Sequence, residues 1–205
     1  MTPLAAWKEC LRAEGLSEDS PHRGRNLLAR WDEPHRHYHT SAHLQSCIER
    51  WERLRDQLQA PSLVGLTLLY HDAIYDPQAR DNEAASARLA RIDLVGLGIA
   101  DRRIADVEHL IHATDHRQNL AHPDAAAVID IDLAILGAEA QAYRRYVDQV
   151  RQEYAHVDHH GWRTGRAQVL GHFLERPRLF TSGLLDELED PARRNMRHEL
   201  DGLNV

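Results

Sequence analysis

Cysteine is scarce in this chain, and its two copies, Cys10 and Cys47, lack the C-x-x-C spacing. This argues against a disulfide framework and against a zinc site built from thiolates. No segment is apolar for long enough to cross a bilayer, and residues 1–8 do not combine a basic start with an apolar run. We therefore expect a soluble protein of the reducing cytoplasm with no membrane partner.

Lysine is also scarce. The formal net charge is −7, and Lys8 is the only lysine. Duplex nucleic acid attracts proteins without sequence preference through clustered cations, so the composition argues against such a partner. Any cation that binds phosphate here has to be an arginine, whose planar guanidinium suits bidentate contacts.

Strictly alternating apolar and polar runs are absent as well. Apolar residues instead recur at i, i+3, i+4 and i+7 through most of the sequence, which predicts an all-α fold. The predicted helices cover residues 3–13, 23–31, 40–58, 62–75, 83–95, 100–114, 124–136, 138–154, 165–174 and 191–203. With 205 residues and no repeat or long linker, we expect a single domain over 1–205.

Histidine is abundant, with 15 copies, so its spacing carries information. His39 and His43 are four residues apart, which places them on one face at a predicted helix start. A shared cleft is one interpretation, and a polar surface turn is the other.

A second segment joins His71 and Asp72 to the apolar residues 66–70. Burying an unpaired carboxylate costs several kcal/mol, on the order of the desolvation penalty of an ion, so Asp72 needs a partner such as a cation. The alternative is a polar patch at a helix end that faces water.

A third segment places Asp130 and Asp132 within the apolar residues 127–136. Two residues apart on a helix, the carboxylates point to different faces, so only one readily joins a cluster while the other caps or pairs with arginine. Together the three segments offer the nitrogen and oxygen donors of a mixed metal site.

The order H, then HD, then D resembles the HD superfamily of metal-dependent phosphohydrolases. The chain is most similar to a bacterial group of predicted HD hydrolases that share five motifs. In this chain the motifs are Tyr38-His39…His43, His71-Asp72…Tyr75, Asn82-Glu83…Ser86, Asp130…Asp132-Leu133…Gly137 and Ala192-Arg193…Asn195. The resemblance implies a helical bundle with the metal at its centre, HD motifs within about 35–137, and a C-terminal helical extension over 138–205.

The same resemblance implies that His43, His71, Asp72 and Asp132 bind a divalent ion of Mn, Fe, Co, Ni, Zn or Mg. Asp132 is preferred over Asp130 because the family's ligand precedes the L-x-x-L-type turn. The Tyr38-His39…His43 stretch is also similar to a segment of cyclic-nucleotide phosphodiesterases, which makes His39 the candidate general acid. Those enzymes have a longer catalytic domain and other ligand motifs, so their substrate specificity does not follow.

The implied activity is hydrolysis of a phosphoester in a nucleotide or other small phosphorylated metabolite, with His39 and Asp72 as catalytic residues. Candidate substrate-binding cations are Arg36, Arg151, Arg166 and Arg193. Surface salt bridges are the alternative for these arginines.

Three further residues extend the predicted site. Glu83 is a candidate for holding a ligand histidine in its tautomer. His112 and His116 form another i, i+4 pair, and some HD proteins bind a second metal through extra histidines. The polar neighbours of this pair favour a solvated helix end instead. A second metal would favour a di-iron oxygenase, and a catalytically silent nucleotide-binding module is a third hypothesis. The oligomeric state, including a homo-oligomer, stays open.

Overall fold

The computed structural model describes residues 1–16, 21–115 and 122–203. Those ranges contain ten α-helices, three short 3₁₀ helices and no β-strand, which confirms the all-α prediction. The α-helices are α1 (Pro3–Ala13), α2 (Pro21–Arg30), α3 (Ser41–Leu54), α4 (Pro61–Tyr70), α5 (Asn82–Leu97), α6 (Asp101–Ala113), α7 (Ala125–Asp132), α8 (Ala140–Glu153), α9 (His159–Glu175) and α10 (Glu189–Leu203). The 3₁₀ helices are η1 (Arg55–Gln57), η2 (Leu133–Gly137) and η3 (Asp186–Leu188). None of the described helices is both long and apolar enough to cross a membrane.

Helix α4 is the centre of the packing. It is apolar on every side, and its residues Leu63, Val64, Leu66, Leu68 and Leu69 have no exposed surface. A helix without a polar face must be covered all round. Helices α1, α2, α3, α5, α6 and α7 pack against it. The His71-Asp72 pair follows the last residue of this buried helix, so the fold carries that pair into the interior.

A buried carboxylate fixes the start of α4. Asp124 Oδ1 accepts a hydrogen bond from the Gln59 amide (2.9 Å), and Oδ2 accepts one from the Ala60 amide (2.8 Å). Pro61 then opens the helix, where its missing N–H removes no hydrogen bond. Asp124 lies at the start of α7, so this contact joins the beginnings of α4 and α7.

The end of α4 differs from the predicted helix over 62–75, because the helix stops at Tyr70. The carbonyls of Asp72 and Ala73 accept hydrogen bonds from the Arg36 guanidinium at 2.8 and 3.2 Å. The Ser86 hydroxyl in turn pairs with the backbone of Ile74. These distant partners satisfy the backbone groups in a turn that replaces the last predicted helical residues.

The other predicted boundaries differ mainly at their ends. Helix α1 has the predicted bounds, whereas the predicted helices over 40–58 and 124–136 each continue as a 3₁₀ helix after α3 and α7. Helix α9 begins at His159, six residues before its predicted start. The Asp158 carboxylate caps it by accepting from the Gly161 amide at 2.7 Å.

The close approach of three helices at Gly65 generates the first prediction. A Cβ atom at Gly65 would lie 2.5 Å from Cys10 Sγ and 3.0 Å from the Trp51 ring. We expect Gly65→Ala to lower the free energy of unfolding by about 1–3 kcal/mol, since α1 or α3 must shift. Gly171→Ala, inside α9 with nothing within 4 Å, should raise it by about 0.5–1 kcal/mol.

Urea denaturation of the two alanine variants beside the unchanged protein provides the measurement. Equal free energies of unfolding for Gly65→Ala and Gly171→Ala would contradict the close packing of α1 and α3 on α4.

Candidate metal centre

Three elements bring two imidazoles and one carboxylate together. His43 lies in the first turn of α3, His71 follows α4, and Asp132 ends α7. His43 Nε2 is 3.2 Å from Asp132 Oδ1. His71 Nε2 is 3.4 Å from both of those atoms. The three atoms therefore form a nearly equilateral triangle.

The size of this triangle fits a single metal ion. Nitrogen and oxygen ligands bind Zn²⁺ and Mg²⁺ at about 2.0–2.2 Å, which separates two tetrahedral ligands by about 3.4 Å and two octahedral neighbours by about 3.0 Å. The observed separations of 3.2–3.4 Å fall in that interval. Within residues 1–16, 21–115 and 122–203, this is the one group of three or more potential ligands close enough to share an ion.

The hydrogen bonding of His71 directs its free nitrogen towards the triangle. His71 Nδ1 lies 2.9 Å from the Leu68 carbonyl oxygen, which can only accept, so Nδ1 carries the proton. Nε2 is then the ring atom that faces the other two groups. A ring nitrogen bonded to a carbonyl in this way is the usual support of a histidine that binds metal.

The charges of the triangle also favour a cation. Burial lowers the pKa of His43 and keeps this ring neutral. Burial opposes the charge of Asp132, but His71 and His43 hold the pKa of its carboxyl well below the ordinary value. Burial likewise disfavours charge on His71, yet the Asp72 and Asp132 carboxylates outweigh it and raise the pKa to about 9. The charged His71 ring therefore carries a proton that a binding metal ion would displace.

Asp72 stands at the edge of this group. Its Oδ2 lies 3.4 Å from His71 Nε2, and 15% of its side chain is exposed. The group of three whose ligand atoms all lie within 4.8 Å of one another excludes it. The structure therefore brings together three of the four predicted ligands and places the fourth beside them, facing the adjacent cleft.

The two aspartates of α7 separate as their spacing predicts. Asp132 joins the histidines, whereas Asp130 is fully buried and accepts hydrogen bonds from the amides of Thr181 (3.1 Å) and Ser182 (2.8 Å). The Ser182 hydroxyl donates a third at 2.6 Å. Asp130 thus anchors the segment between α9 and η3.

Glu153 is the site residue that sequence reasoning missed. Its Oε1 accepts hydrogen bonds from the backbone amides of His37, Tyr38 and His39 at 2.7–3.0 Å. Its Oε2 accepts from His39 Nδ1 at 2.8 Å and from the Tyr75 hydroxyl at 2.9 Å. One buried carboxylate therefore fixes the backbone of residues 37–39 and the ring of His39.

This contact determines how His39 faces the centre. Because Glu153 only accepts, Nδ1 of His39 carries a proton and Nε2 lies 3.9 Å from Asp72 Oδ2. Burial disfavours the charged ring, but the hydrogen bond to Glu153 and the nearby carboxylates raise the pKa of His39. The ring also stacks on Tyr75, with centroids 4.2 Å apart.

A signal for Glu153 was present in the sequence. Tyr143, Tyr146 and Val150 recur at i, i+3 and i+7 on α8, and Glu153 continues that spacing. A glutamate on the apolar stripe of a helix needs a buried partner, by the argument already used for Asp72.

Arg36, a predicted substrate-binding cation, is held by structural contacts. Its side chain has no exposed surface. NH1 donates to the carbonyls of His39 (3.1 Å) and Asp72 (2.8 Å). The guanidinium also lies over the rings of Trp31 and Tyr75. Arg36 thus joins the His39 segment to the His71-Asp72 turn, and its donors are committed to backbone carbonyls and to the Glu33 carboxylate.

The other three predicted phosphate-binding arginines are also engaged in structural contacts. Arg166 lines the same cleft as Asp72, but its guanidinium forms a bidentate pair with the Glu199 carboxylate at 2.7 and 3.0 Å. Arg151 donates to backbone carbonyls just after α8, and Arg193 donates to carbonyls at the end of α9. Arg151 and Arg193 are not among the residues that line this cleft, and their role as substrate-binding cations stays a prediction.

The remaining predicted residues have mixed outcomes. Glu83 lines the cleft beside Asp72, and its support of a ligand histidine stays a prediction. His112 lies in the last turn of α6 and does not belong to the group of three. His116 lies outside the described residues. The part of the chain that the structure describes thus holds no second group of ligands.

Two clefts meet at the centre. The His39 cleft, of about 390 Å³, is lined by His39, Asp72 and Asp132 among others. The His43 cleft, of about 260 Å³, is lined by His43, Asp132, Arg50 and Arg145 among others. Asp132 therefore faces both, and the larger cleft has the volume of an ordinary small-molecule site.

Comparison with protein-family models, curated proteins and solved structures found no match.

The contrast between the two aspartates gives the second prediction. Asp132→Asn should weaken the binding of a divalent metal by more than about 100-fold, because it replaces a coordinating carboxylate with a neutral amide and removes a buried negative charge. Asp130→Asn should leave metal affinity unchanged and lower the free energy of unfolding by about 1–3 kcal/mol. Calorimetric titration with Zn²⁺ or Co²⁺ and urea denaturation provide the two measurements. The opposite ranking of metal affinities would assign the centre to Asp130.

The Glu153 contacts give a third prediction, on stability against pH. Burial opposes its charge, but His39 and the backbone amides lower the pKa of Glu153 from 4.5 to about 2. A carboxyl whose pKa falls on folding contributes stability above its unfolded pKa and loses it as pH falls through the folded pKa. We expect Glu153→Gln to cost on the order of 3 kcal/mol at pH 7, and this difference should shrink between pH 4.5 and 2.

Urea denaturation at a series of pH values checks this, with Glu187→Gln at an exposed glutamate as the control of equal charge change. A cost that stays constant down to pH 2 would show that the ionised carboxylate is not the stabilising species.

Proposed function

We propose that the protein is a metal-dependent phosphohydrolase of the HD type, which cleaves a phosphoester bond of a nucleotide or other small phosphorylated metabolite. One observation carries the proposal. The triangle of His43, His71 and Asp132 has the dimensions of a metal site, and His39 and Asp72 line the cleft that opens on it. The H, HD, D order of these residues in the sequence, which resembles the HD superfamily, supports the same function.

Each side chain has a task in this hypothesis. His43, His71 and Asp132 would hold the ion, and Asp72 beside them would complete the set and orient the attacking water. A divalent ion supplies Lewis acidity, which withdraws charge from phosphate oxygens and acidifies water. The mixed nitrogen and oxygen donors suit Mn, Fe, Co, Ni or Zn, and Mg is less suited to them.

His39 is the proton donor in the proposal. Glu153 fixes Nδ1–H, so the ring presents Nε2 to the cleft beside Asp72. A protonated Nε2 can give its proton to the oxygen that leaves phosphorus. Glu153 acts here as a positioning residue, since it touches His39 and the backbone but not the cleft's reacting atoms.

The rival hypotheses find less support. A di-iron oxygenase needs a second set of ligands, and the described residues hold one set. A silent nucleotide-binding module would keep the metal site without turnover. For the compartment we propose a reducing cytoplasm, because both cysteines are buried free thiols.

A screen of phosphorylated metabolites against Mn²⁺, Fe²⁺, Co²⁺, Ni²⁺, Zn²⁺ and Mg²⁺, with inorganic phosphate as the readout, tests the function. Release of phosphate that disappears in Asp132→Asn supports it. Two irons per chain with a visible absorption band would favour the oxygenase. Tight nucleotide binding without product would favour the regulatory module.

The fourth prediction concerns His39. His39→Ala should keep metal content near normal and slow turnover by a factor on the order of 10² to 10⁴, the usual range for a general acid. The loss should be smaller on a nitrophenyl phosphate, whose leaving oxygen needs no proton, than on an alkyl phosphate.

The matched control is His37→Ala, at an exposed histidine two residues away whose side chain does not line the His39 cleft. Equal losses on both substrates in His39→Ala, or a loss of metal, would show that the proton donor lies elsewhere.

A further inference from the structure

Two chemically different sets of side chains line the His39 cleft. The polar set includes His39, Asp72, Asp132, Arg80 and Glu83. The other is a set of apolar side chains from η2, α8 and α9, here called the apolar wall. The wall consists of Leu133, Leu136, Val150, Val169 and Phe173.

Val169 shows that the wall is open to a ligand. With 46% of its surface exposed, it is one of three large apolar residues that the structure leaves exposed in the described ranges. The other two, Ile92 and Val95, lie on α5 and do not line the cleft. Val169 and Phe173 are four residues apart on α9, so they present one continuous apolar face. An apolar surface inside a cleft with convergent polar groups is typical of a small-molecule site.

The charge near the wall points to an uncharged ligand group. The elements that form the wall contribute one arginine to the cleft, Arg166, and its bidentate pair with Glu199 already compensates its charge. The cleft's other arginine, Arg80, precedes α5 and belongs to the polar set. The group that contacts the wall should therefore be apolar. The phosphate belongs with the polar set, at the metal triangle.

We propose that the substrate is a phosphomonoester whose alcohol carries an apolar group of ring size, seated on the apolar wall while its phosphate lies at the metal centre. This inference rests on the proposed function and narrows its substrate class. A sugar phosphate or an inorganic polyphosphate would leave the wall without an apolar partner.

The hydrolysis balances with these groups alone. The oxygen of one water bonds to phosphorus while the ester P–O bond breaks. The water releases one proton to the Asp72 carboxylate, and the departing alcohol oxygen takes one from His39. Return of the proton from Asp72 to His39 Nε2, 3.9 Å away, restores both groups. The products are the apolar alcohol and inorganic phosphate.

The test compares 2-(1-naphthyl)ethyl phosphate with glycerol 3-phosphate. Both are primary alkyl phosphates with leaving groups of similar acidity, so a difference in kcat/KM reports contact with the organic group. We expect the protein to prefer the naphthyl ester by a factor on the order of 10 to 100, from the apolar area it would bury.

Two valine variants localise the effect. Val169→Asp should reduce that preference on the order of 10-fold, because it places a charge on the wall. Val95→Asp makes the same change at a valine of 52% exposure on α5, outside the cleft, and should leave the preference intact. Both positions are exposed, so both variants should fold.

A binding measurement separates the two proposals. The phosphonate that replaces the ester oxygen of the naphthyl compound with a methylene cannot be hydrolysed, and its naphthalene fluorescence reports Kd. In one outcome Val169→Asp weakens phosphonate binding, Val95→Asp does not, and neither ester is hydrolysed. This outcome would overturn the phosphohydrolase proposal and retain the apolar wall as a binding surface. Phosphate release with equal kcat/KM on both esters, and equal Kd in the two variants, would overturn this inference alone.

Discussion

The cost of burying carboxylates is the constraint on which the rest of this structure depends. Asp124, Asp130 and Glu153 are buried, and each accepts hydrogen bonds from two or three backbone amides. Those amides belong to segments distant in the sequence, so each carboxylate fixes a junction of the fold. Asp132 differs, because it faces the imidazole nitrogens of His43 and His71. A carboxylate that accepts hydrogen bonds from backbone amides holds segments of the chain together. A carboxylate that faces imidazole nitrogens can instead share a proton or a metal ion with them.

The positions of the catalytic candidates follow from the same constraint. The apolar helix α4 carries His71 into the interior, and Arg36 satisfies the carbonyls of the turn that follows it. Arg36 also binds the carbonyl of His39, whose amide and ring are held by Glu153. A cation and an anion, both buried, thus support the His39 segment from two directions. A group held in this way is preorganised for proton transfer without a rearrangement.

The lining of the His39 cleft would serve two tasks of the proposed hydrolase. Its polar set gathers charged groups, and the apolar wall offers surface that water solvates poorly. An enzyme that takes binding energy from the non-reacting part of its substrate uses such a surface to place the reacting bond. An exposed valine such as Val169 is unfavourable on a surface that only water contacts. In this cleft a bound ligand would cover it.

Local pattern in the sequence determined the helical class and most helix positions, because the period of apolar residues reports which face is buried. It also showed that Asp72 and Asp132 needed partners and that Asp130 and Asp132 point apart, while the resemblance to HD proteins selected Asp132. Only the tertiary structure decided the end of α4, the structural contacts of Arg36 and the hydrogen bonds of Glu153 with residues 37–39 and Tyr75. The physical reason is distance along the chain, since Glu153 lies 114 residues from His39 and no local period records such a contact.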